Sequence, residues 1–345
     1  MKICMLAPES LPVPPIGSYW GGAESVVWDL SVALGEMNHE VTLVARSSSK
    51  APPNGFLVET FRDENDPPNH PRWGAIERHY YYYESVVKDF QGVVHDHTLG
   101  KGARLLNDKV IQTPHFCQDP RAMGYKNMTA ASYAQAKWLN DHSPSARNIP
   151  VVHHGIDCRR FMFKSEREDF YLFFSVIARY KGAEKALMLA KETGCKMVFA
   201  GRNGDMSDTI KNCGLTNVRY LGEVSNEQRM DLFSKAKALV FPTGAWGDAD
   251  PSNWLEIFGL VQLEALASGC PVIASNNGAC PEVIEDFKVG FVCPNYQEMK
   301  YLIENSEVED IKPETCRQYV EEKFSAKRIA NDYVKLYKRI VEGDW

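Results

Sequence analysis

The chain has 345 residues, 44% of them hydrophobic and 24% charged, with a formal net charge of −6. That composition is globular rather than disordered, and the length suits two domains of ordinary size. The acidic balance argues against nucleic acid as the main partner and gives no support to strong electrostatic attachment at anionic lipid.

The opening residues, MKICMLAPES, hold a short apolar run. They read as a buried strand, because a signal peptide needs a longer apolar core and a small-residue cleavage site. No run of about 18 apolar residues follows, so no transmembrane helix is expected. Nine cysteines are scattered without a C-x-x-C pair. That spacing fits neither a zinc site nor a disulfide framework, and the odd count suits a reducing, cytoplasmic setting.

Short apolar runs alternate with helical patterns along the chain. KICMLA (2–7), EVTLVA (40–45), GVVHDH (92–97), VIQT (110–113), NMTAAS (127–132) and IPVVHH (149–154) read as strands. A second series comprises YLFFSVIA (171–178), CKMVFAG (195–201), NVRYLG (217–222), ALVFPT (238–243), PVIAS (271–275) and GFVCP (290–294). Runs apolar throughout suit strands covered on both faces, and alternation with helices implies parallel sheets. The expected fold class is α/β, with two doubly wound Rossmann-like domains facing a cleft. The boundaries fall at 1–160 and 161–325. A final helix over 326–345 carries an apolar stripe at Ile329, Tyr333, Leu336 and Ile340 and is expected to cross back onto the first domain. In such folds ligands sit at the carboxyl ends of the strands, so motifs there take the chemical reading first.

Gly21 and Gly22 precede a helix expected over about 23–37, whose buried face is Val26, Val27, Leu30 and Leu34. Glycines before a helix start expose backbone N–H groups to an anion, although the long loop is not a dinucleotide fingerprint. His95 and His97 end a strand on the same face. Three readings stand: a metal site lacking further ligands, a structural histidine, or a substrate contact, with His97 the favoured residue and His115 a weaker copy. Arg179 and Lys181 follow the strand over 171–178, and two cations there suit a diphosphate. Glu256 and Glu264 stand eight residues apart around Gly259, and about 100° per residue gives them no common helix face. Glu256 reads as lying before a helix that starts near Gly259, and Glu264 as two turns inside it. An acidic residue near a helix start also has a plain use beside the dipole, and Glu264 could equally be a buried partner of a cation.

Together these stretches resemble the retaining family-four glycosyltransferases of the GT-B fold, over nearly the whole chain. The resemblance rests on YWGGAESVVWDLSVALGEMNHEVTLVA, VVHDH, HHGIDCRRF, YKG and LEIFGLVQLEALASGCPVIASNNGACPEVI, in that order. It implies a hexosyltransferase that moves a sugar from a nucleotide-diphosphate sugar with retention. No metal and no cofactor are expected. A uridine diphosphate donor is favoured on family frequency, and the acceptor is a sugar, a lipid-linked group or a small molecule. By position, the resemblance assigns Glu256 to donor-sugar hydroxyls and Glu264 to the ribose. It sets Phe258, Gly259 and Leu260 toward donor sugar and phosphates, Gly21 and Gly22 near the diphosphate, and His97 near the reacting centre. The first domain would bind acceptor and the second donor.

The sequence departs from the family's G-R-x-x-x-x-K-G pattern. Val176 stands where the arginine is expected and Ser175 where the glycine is. Either Arg179 serves from a shifted position or one cation is missing. A non-catalytic nucleotide-sugar-binding protein and a nucleotide-sugar epimerase of the same fold are the alternatives. The loop over 243–256 is longer than in many relatives. Its Asp248 and Asp250 resemble a metal motif of the other main glycosyltransferase fold, a reading outweighed by the two-domain pattern. Trp246 and Trp254 in that loop are expected to shape the donor pocket or an acceptor wall. The tyrosine run over 80–83 reads as helix packing.

Overall fold

The computed structural model describes residues 1–15, 21–60, 83, 85–98, 109–117, 127–142, 148–244 and 254–345. Trp246, Asp248, Asp250 and three tyrosines of the run over 80–83 lie outside the described residues. Tyr83 is fully buried and donates its hydroxyl to the Ala7 carbonyl at 2.7 Å. The chain divides into two units, Met1–Ile156 with Ala326–Trp345, and Asp157–Ser325.

The first unit runs β1 (Lys2–Leu6), α1 (Gly22–Glu36), β2 (Glu40–Ala45), β3 (Gly55–Glu59), β4 (Val93–Asp96), β5 (Val110–Gln112), β6 (Asn127–Met128) and α2 (Tyr133–His142). Its six strands lie in the order β3-β2-β1-β4-β5-β6, and all pairings are parallel. β4 is buried at every position and β1 from Ile3 onward, as apolar central strands must be when both faces are covered. Two details differ from the reading of the sequence. β3, GFLVE, is a strand that the apolar-run criterion passes over: it lies at the sheet edge, and Phe56 is exposed. IPVVHH is not a strand; Val151 makes one isolated parallel bridge with Ala130.

The second unit runs β7 (Tyr171–Phe174), α3 (Ala183–Thr193), β8 (Met197–Ala200), α4 (Ser207–Lys211), β9 (Val218–Gly222), α5 (Asn226–Lys235), β10 (Ala238–Phe241), α6 (Leu260–Ala267), β11 (Val272–Ser275), α7 (Cys280–Val283), β12 (Gly290–Cys293), α8 (Tyr296–Glu304) and α9 (Pro313–Lys323). Its strands are parallel in the order β12-β11-β10-β7-β8-β9. Each sheet is therefore doubly wound, its order reversing beside the first strand of the unit.

The last helix, α10 (Ala326–Glu342), belongs to the first unit. Ile329, Tyr333, Leu336 and Ile340 are buried, together with Val27, Leu30 and Leu34 of α1, in one apolar cluster. All nine cysteines are free. Among the described residues, no helix is long and apolar enough to cross a membrane.

Candidate functional site

In the second unit the chain leaves β7 and enters a single 3-10 turn, Arg179–Lys181. Gly182 closes that turn at φ +81°, and a Cβ there would collide with the Pro242 carbonyl. Only glycine allows both the left-handed backbone and the close approach to the end of β10. The approach sets Lys181 beside Glu256, a residue 75 positions away in the chain.

Glu256 precedes α6 and is 4% exposed. Its Oε2 accepts the Lys181 ammonium at 2.7 Å, the Thr243 hydroxyl at 3.2 Å and, at a long 3.4 Å, the Trp254 indole N–H. Among the described residues, no donor reaches its Oε1. Glu256 N–H donates to Asn277 Oδ1 at 2.8 Å, and Asn277 Nδ2 donates to the Trp254 carbonyl at 3.2 Å. One asparagine side chain thus clips both residues. The Lys181 ammonium also lies over the Trp254 ring, 4.3 Å from its centroid.

Gly259 caps α6 at φ +77°, where a Cβ would meet Gln262 Nε2 at 2.6 Å and the Phe241 ring at 3.1 Å. Leu260 opens the helix, half-buried. Phe258 is a core residue, 1% exposed and edge-on to Phe324, so only its backbone stays available. Gln262 Nε2 donates to the Phe258 carbonyl at 3.0 Å. Glu264 faces a different partner, with its Oε1 3.5 Å from Arg229 Nη2 of α5. The two glutamates share no cation and no face.

Arg179 stands apart from this group. Its guanidinium meets Glu184 at 2.7 Å and Asp205 at 3.5 Å, and 59% of its side chain is exposed. The structure brings Lys181 and Glu256 together and leaves Arg179 in a separate surface pair.

The first unit gathers a chain of buried histidines at the ends of β4 and β5 and just after the Val151 bridge. His95 shares hydrogen bonds with the Tyr337 hydroxyl and Thr113 Oγ1, both at 2.7 Å. His97 Nδ1 meets His115 Nε2 at 2.9 Å. Ring centroids are 4.0 Å apart for His95 and His97, 5.1 Å for His97 and His115, and 5.2 Å for His115 and His154. Burial pushes His95 down to about 3 and His115 to about 4, and holds His97 and His154 well below the usual imidazole range. The rings are therefore neutral near pH 7, and one proton is shared between His97 and His115. His97 Nε2 is buried with no hydrogen-bond partner among the described residues. No group of three or more histidine, cysteine, aspartate or glutamate residues among them is arranged to hold a metal ion.

Gly21 caps α1 and Gly22 is its first residue. A Cβ on Gly21 would collide with the carboxylate of Glu24, a residue 4% exposed whose pKa burial raises. This helix start already holds an acidic side chain, so an incoming anion would meet it there. The sequence reading passed over Glu24, Thr243, Arg229 and Asn277. Glu24 alone had a signal, an acidic residue in a first helical turn; the others act across distant segments.

Two family models match the chain in tandem: "Glycosyltransferase Family 4" over residues 20–160 and "Glycosyl transferases group 1" over residues 158–323. Spore coat protein SA of Bacillus subtilis is 32% identical, across 98% of this chain and 100% of that protein. Among solved structures, AviGT4, a glycosyltransferase involved in avilamycin A biosynthesis, is 27% identical with a TM-score of 0.79, covering 99% of this chain and 98% of that one. HepE of Anabaena in complex with UDP-glucose shares the fold at 15% identity and a TM-score of 0.67, covering 98% of this chain and 99% of that one.

Proposed function

The chain belongs to the family-4 glycosyltransferases of the GT-B fold, and on that premise we propose that it transfers a sugar from a nucleotide-diphosphate sugar with retention at the anomeric carbon. A uridine diphosphate donor is favoured, in keeping with the ligand named for HepE. The acceptor is a sugar, a lipid-linked group or a small molecule. The second unit binds donor and the first unit binds acceptor.

The observation that carries the reading is the Lys181–Glu256 pair, with one carboxylate oxygen saturated and the other open. Breaking the glycosyl–phosphate bond sends its electron pair to the departing diphosphate. A helix N-terminus offers that charge about 0.3–1 kcal/mol, or about 2 kcal/mol when partly buried. Enzymatic rate enhancement requires at least about 8 kcal/mol, so a fixed cation is needed. Lys181 supplies charge-assisted hydrogen bonds in this reading, each worth roughly 1.5–3 kcal/mol. Arg179 adds a second only by leaving Glu184 and Asp205.

Glu256 holds donor-sugar hydroxyls through Oε1 while Oε2 stays anchored. With its charge spread over those donors it is a poor nucleophile, which suits positioning rather than covalent catalysis. Glu264 accepts from the ribose. The backbone at Phe258, Gly259 and Leu260 lies along donor sugar and phosphates; the Gly21–Gly22 backbone is the weaker candidate for an anion, because the Glu24 carboxylate already stands at that helix start. His97, whose Nε2 has no hydrogen-bond partner among the described residues, offers it to a sugar hydroxyl only when the buried ring becomes accessible. A neutral ring does this without placing a positive charge next to the developing oxocarbenium carbon.

The test is to incubate the chain with nucleotide sugars and candidate acceptors, follow nucleotide release, and read the product's anomeric configuration by NMR. Retained configuration is expected. An inverted product would sink the retaining assignment, and a product still joined to the nucleotide would identify an epimerase instead.

A further inference from the structure

We propose that Trp254 is a positioning residue for Lys181, holding its ammonium ready for the leaving diphosphate; this rests on the reading of Lys181 as the leaving-group cation. An ammonium has three N–H bonds to place. One goes to Glu256 Oε2 at 2.7 Å, and the indole face lies 4.3 Å from the nitrogen on another side. The Lys181 side chain is only 15% exposed, so little water remains to hold the charge in place. A cation over an indole face is attracted by the ring quadrupole, most strongly where both are desolvated.

The choice of an aromatic face matters for an anionic ligand. A second carboxylate here would hold Lys181 equally well but leave a net negative charge to repel a diphosphate. The indole holds the ammonium and adds no countercharge. Its N–H also points at Glu256 Oε2, at a long 3.4 Å, and draws off part of the charge that competes for Lys181. Trp254 is itself fixed. Its carbonyl is held by Asn277, the same side chain that holds the Glu256 N–H, and its ring packs on Tyr180 with centroids 4.8 Å apart. Ring, carboxylate and ammonium therefore keep one mutual geometry. Arg179 is engaged elsewhere and Val176 stands at the family's arginine position, so correct placement of Lys181 carries more of the task.

The test uses the full chain and inorganic pyrophosphate as probe, with affinity read by calorimetry for wild type, W254F, W254L, K181M and the double variant W254L/K181M. W254F keeps an aromatic face and should bind within about threefold of wild type. W254L should bind about three- to thirtyfold more weakly. In the K181M background W254L should add no further loss, since the indole acts through the lysine. Equal binding by W254L and wild type, with loss in K181M, overturns the role of Trp254 while leaving Lys181 its own. An equal loss from W254L with and without Lys181 also overturns it, because the indole would then act independently of the ammonium. Unchanged binding in K181M, or no binding by wild type, overturns the Lys181 reading on which the proposal rests. Thermal melts check each fold, and W254M replaces W254L should the leucine variant not fold.

Discussion

Lys181 and Glu256 meet in the second unit as an ion pair at 2.7 Å, whereas the histidines of the first unit lie ring against ring and are kept neutral by burial. Both groups sit where parallel strands end. They handle charge in opposite ways. A buried ion pair has already lost most of its water, so an arriving anion can take the ammonium N–H bonds that Glu256 leaves over without stripping a hydrated cation. A dry chain of neutral imidazoles cannot take up charge cheaply, but it can present a fixed donor or acceptor. On the proposed function, charge stabilisation falls to the second unit and neutral hydrogen bonding to the first.

The most severe way to break that contrast is to remove the cation. Lys181→Ala is expected to lower kcat by about a hundredfold, the loss of a strong charge-assisted contact at about tenfold per 1.36 kcal/mol. Steady-state kinetics on folded protein checks it, and near-normal turnover would remove Lys181 from the chemistry.

A smaller effect separates the two oxygens of Glu256. Glu256→Gln keeps an acceptor oxygen but loses the charge that holds Lys181, and Glu256→Ala loses both. The alanine variant should cost about tenfold more in kcat/KM than the glutamine variant, with most of the difference in donor KM. Equal losses would mean that Oε1 does not position the donor.

How far the sequence carried this picture depends on where each residue finds its partners. The inner strands announce themselves as apolar runs because both faces are covered, and the stripe on α10 survives as its buried face. β3 carries no such run because an edge strand is half exposed, and IPVVHH reads as a strand because an apolar run does not reveal whether a neighbour pairs with it along its length. At the site, "YKG" and the Glu-x7-Glu stretch single out Lys181, Glu256 and Glu264 by resemblance to the family, and the local backbone demands fall on Gly182 and Gly259. Partners do not. Lys181 and Glu256, Glu264 and Arg229, and Glu256 and Asn277 are joined only by folding. The engagement of Arg179 by Glu184 and Asp205 is likewise invisible in a run of one-letter codes.

The histidine side of the contrast can be sharpened without a substrate. Unfolding exposes imidazoles that titrate near 6.5, while in the fold His95 and His115 stay neutral to about 3 and about 4, and His97 and His154 also stay neutral well into acid. Between those limits the unfolded chain binds more protons. The stability is therefore present above pH 6.5 and falls as the pH drops, by up to about 1.4 kcal/mol per pH unit for each histidine. Glu24, raised by burial, contributes in the opposite sense above 4.5, but it is one group against four. Calorimetric unfolding at pH 5.5 in buffers of different ionisation enthalpy should show net proton uptake, and Tm should fall steadily from pH 7 to pH 4.5. A flat Tm across that range would mean that the histidines are hydrated and able to charge.

The smallest expected effect bears on the arginine that the sequence left open. Arg179 is more than half exposed and held by two carboxylates, so its surface pairs contribute about 0–1 kcal/mol to stability. If it stays there during turnover, Arg179→Ala changes kcat/KM by less than about threefold and barely moves Tm. A loss of about tenfold or more, with Tm unchanged, would show that the guanidinium leaves Glu184 and Asp205 when the diphosphate arrives. In that case the second unit keeps its second cation on the surface in an exchangeable pair, whereas Lys181 stays fixed on Glu256. Substituting Glu184 then decides the matter from the other side: freeing the arginine should tighten pyrophosphate binding if Arg179 is recruited and leave it unchanged if it is not.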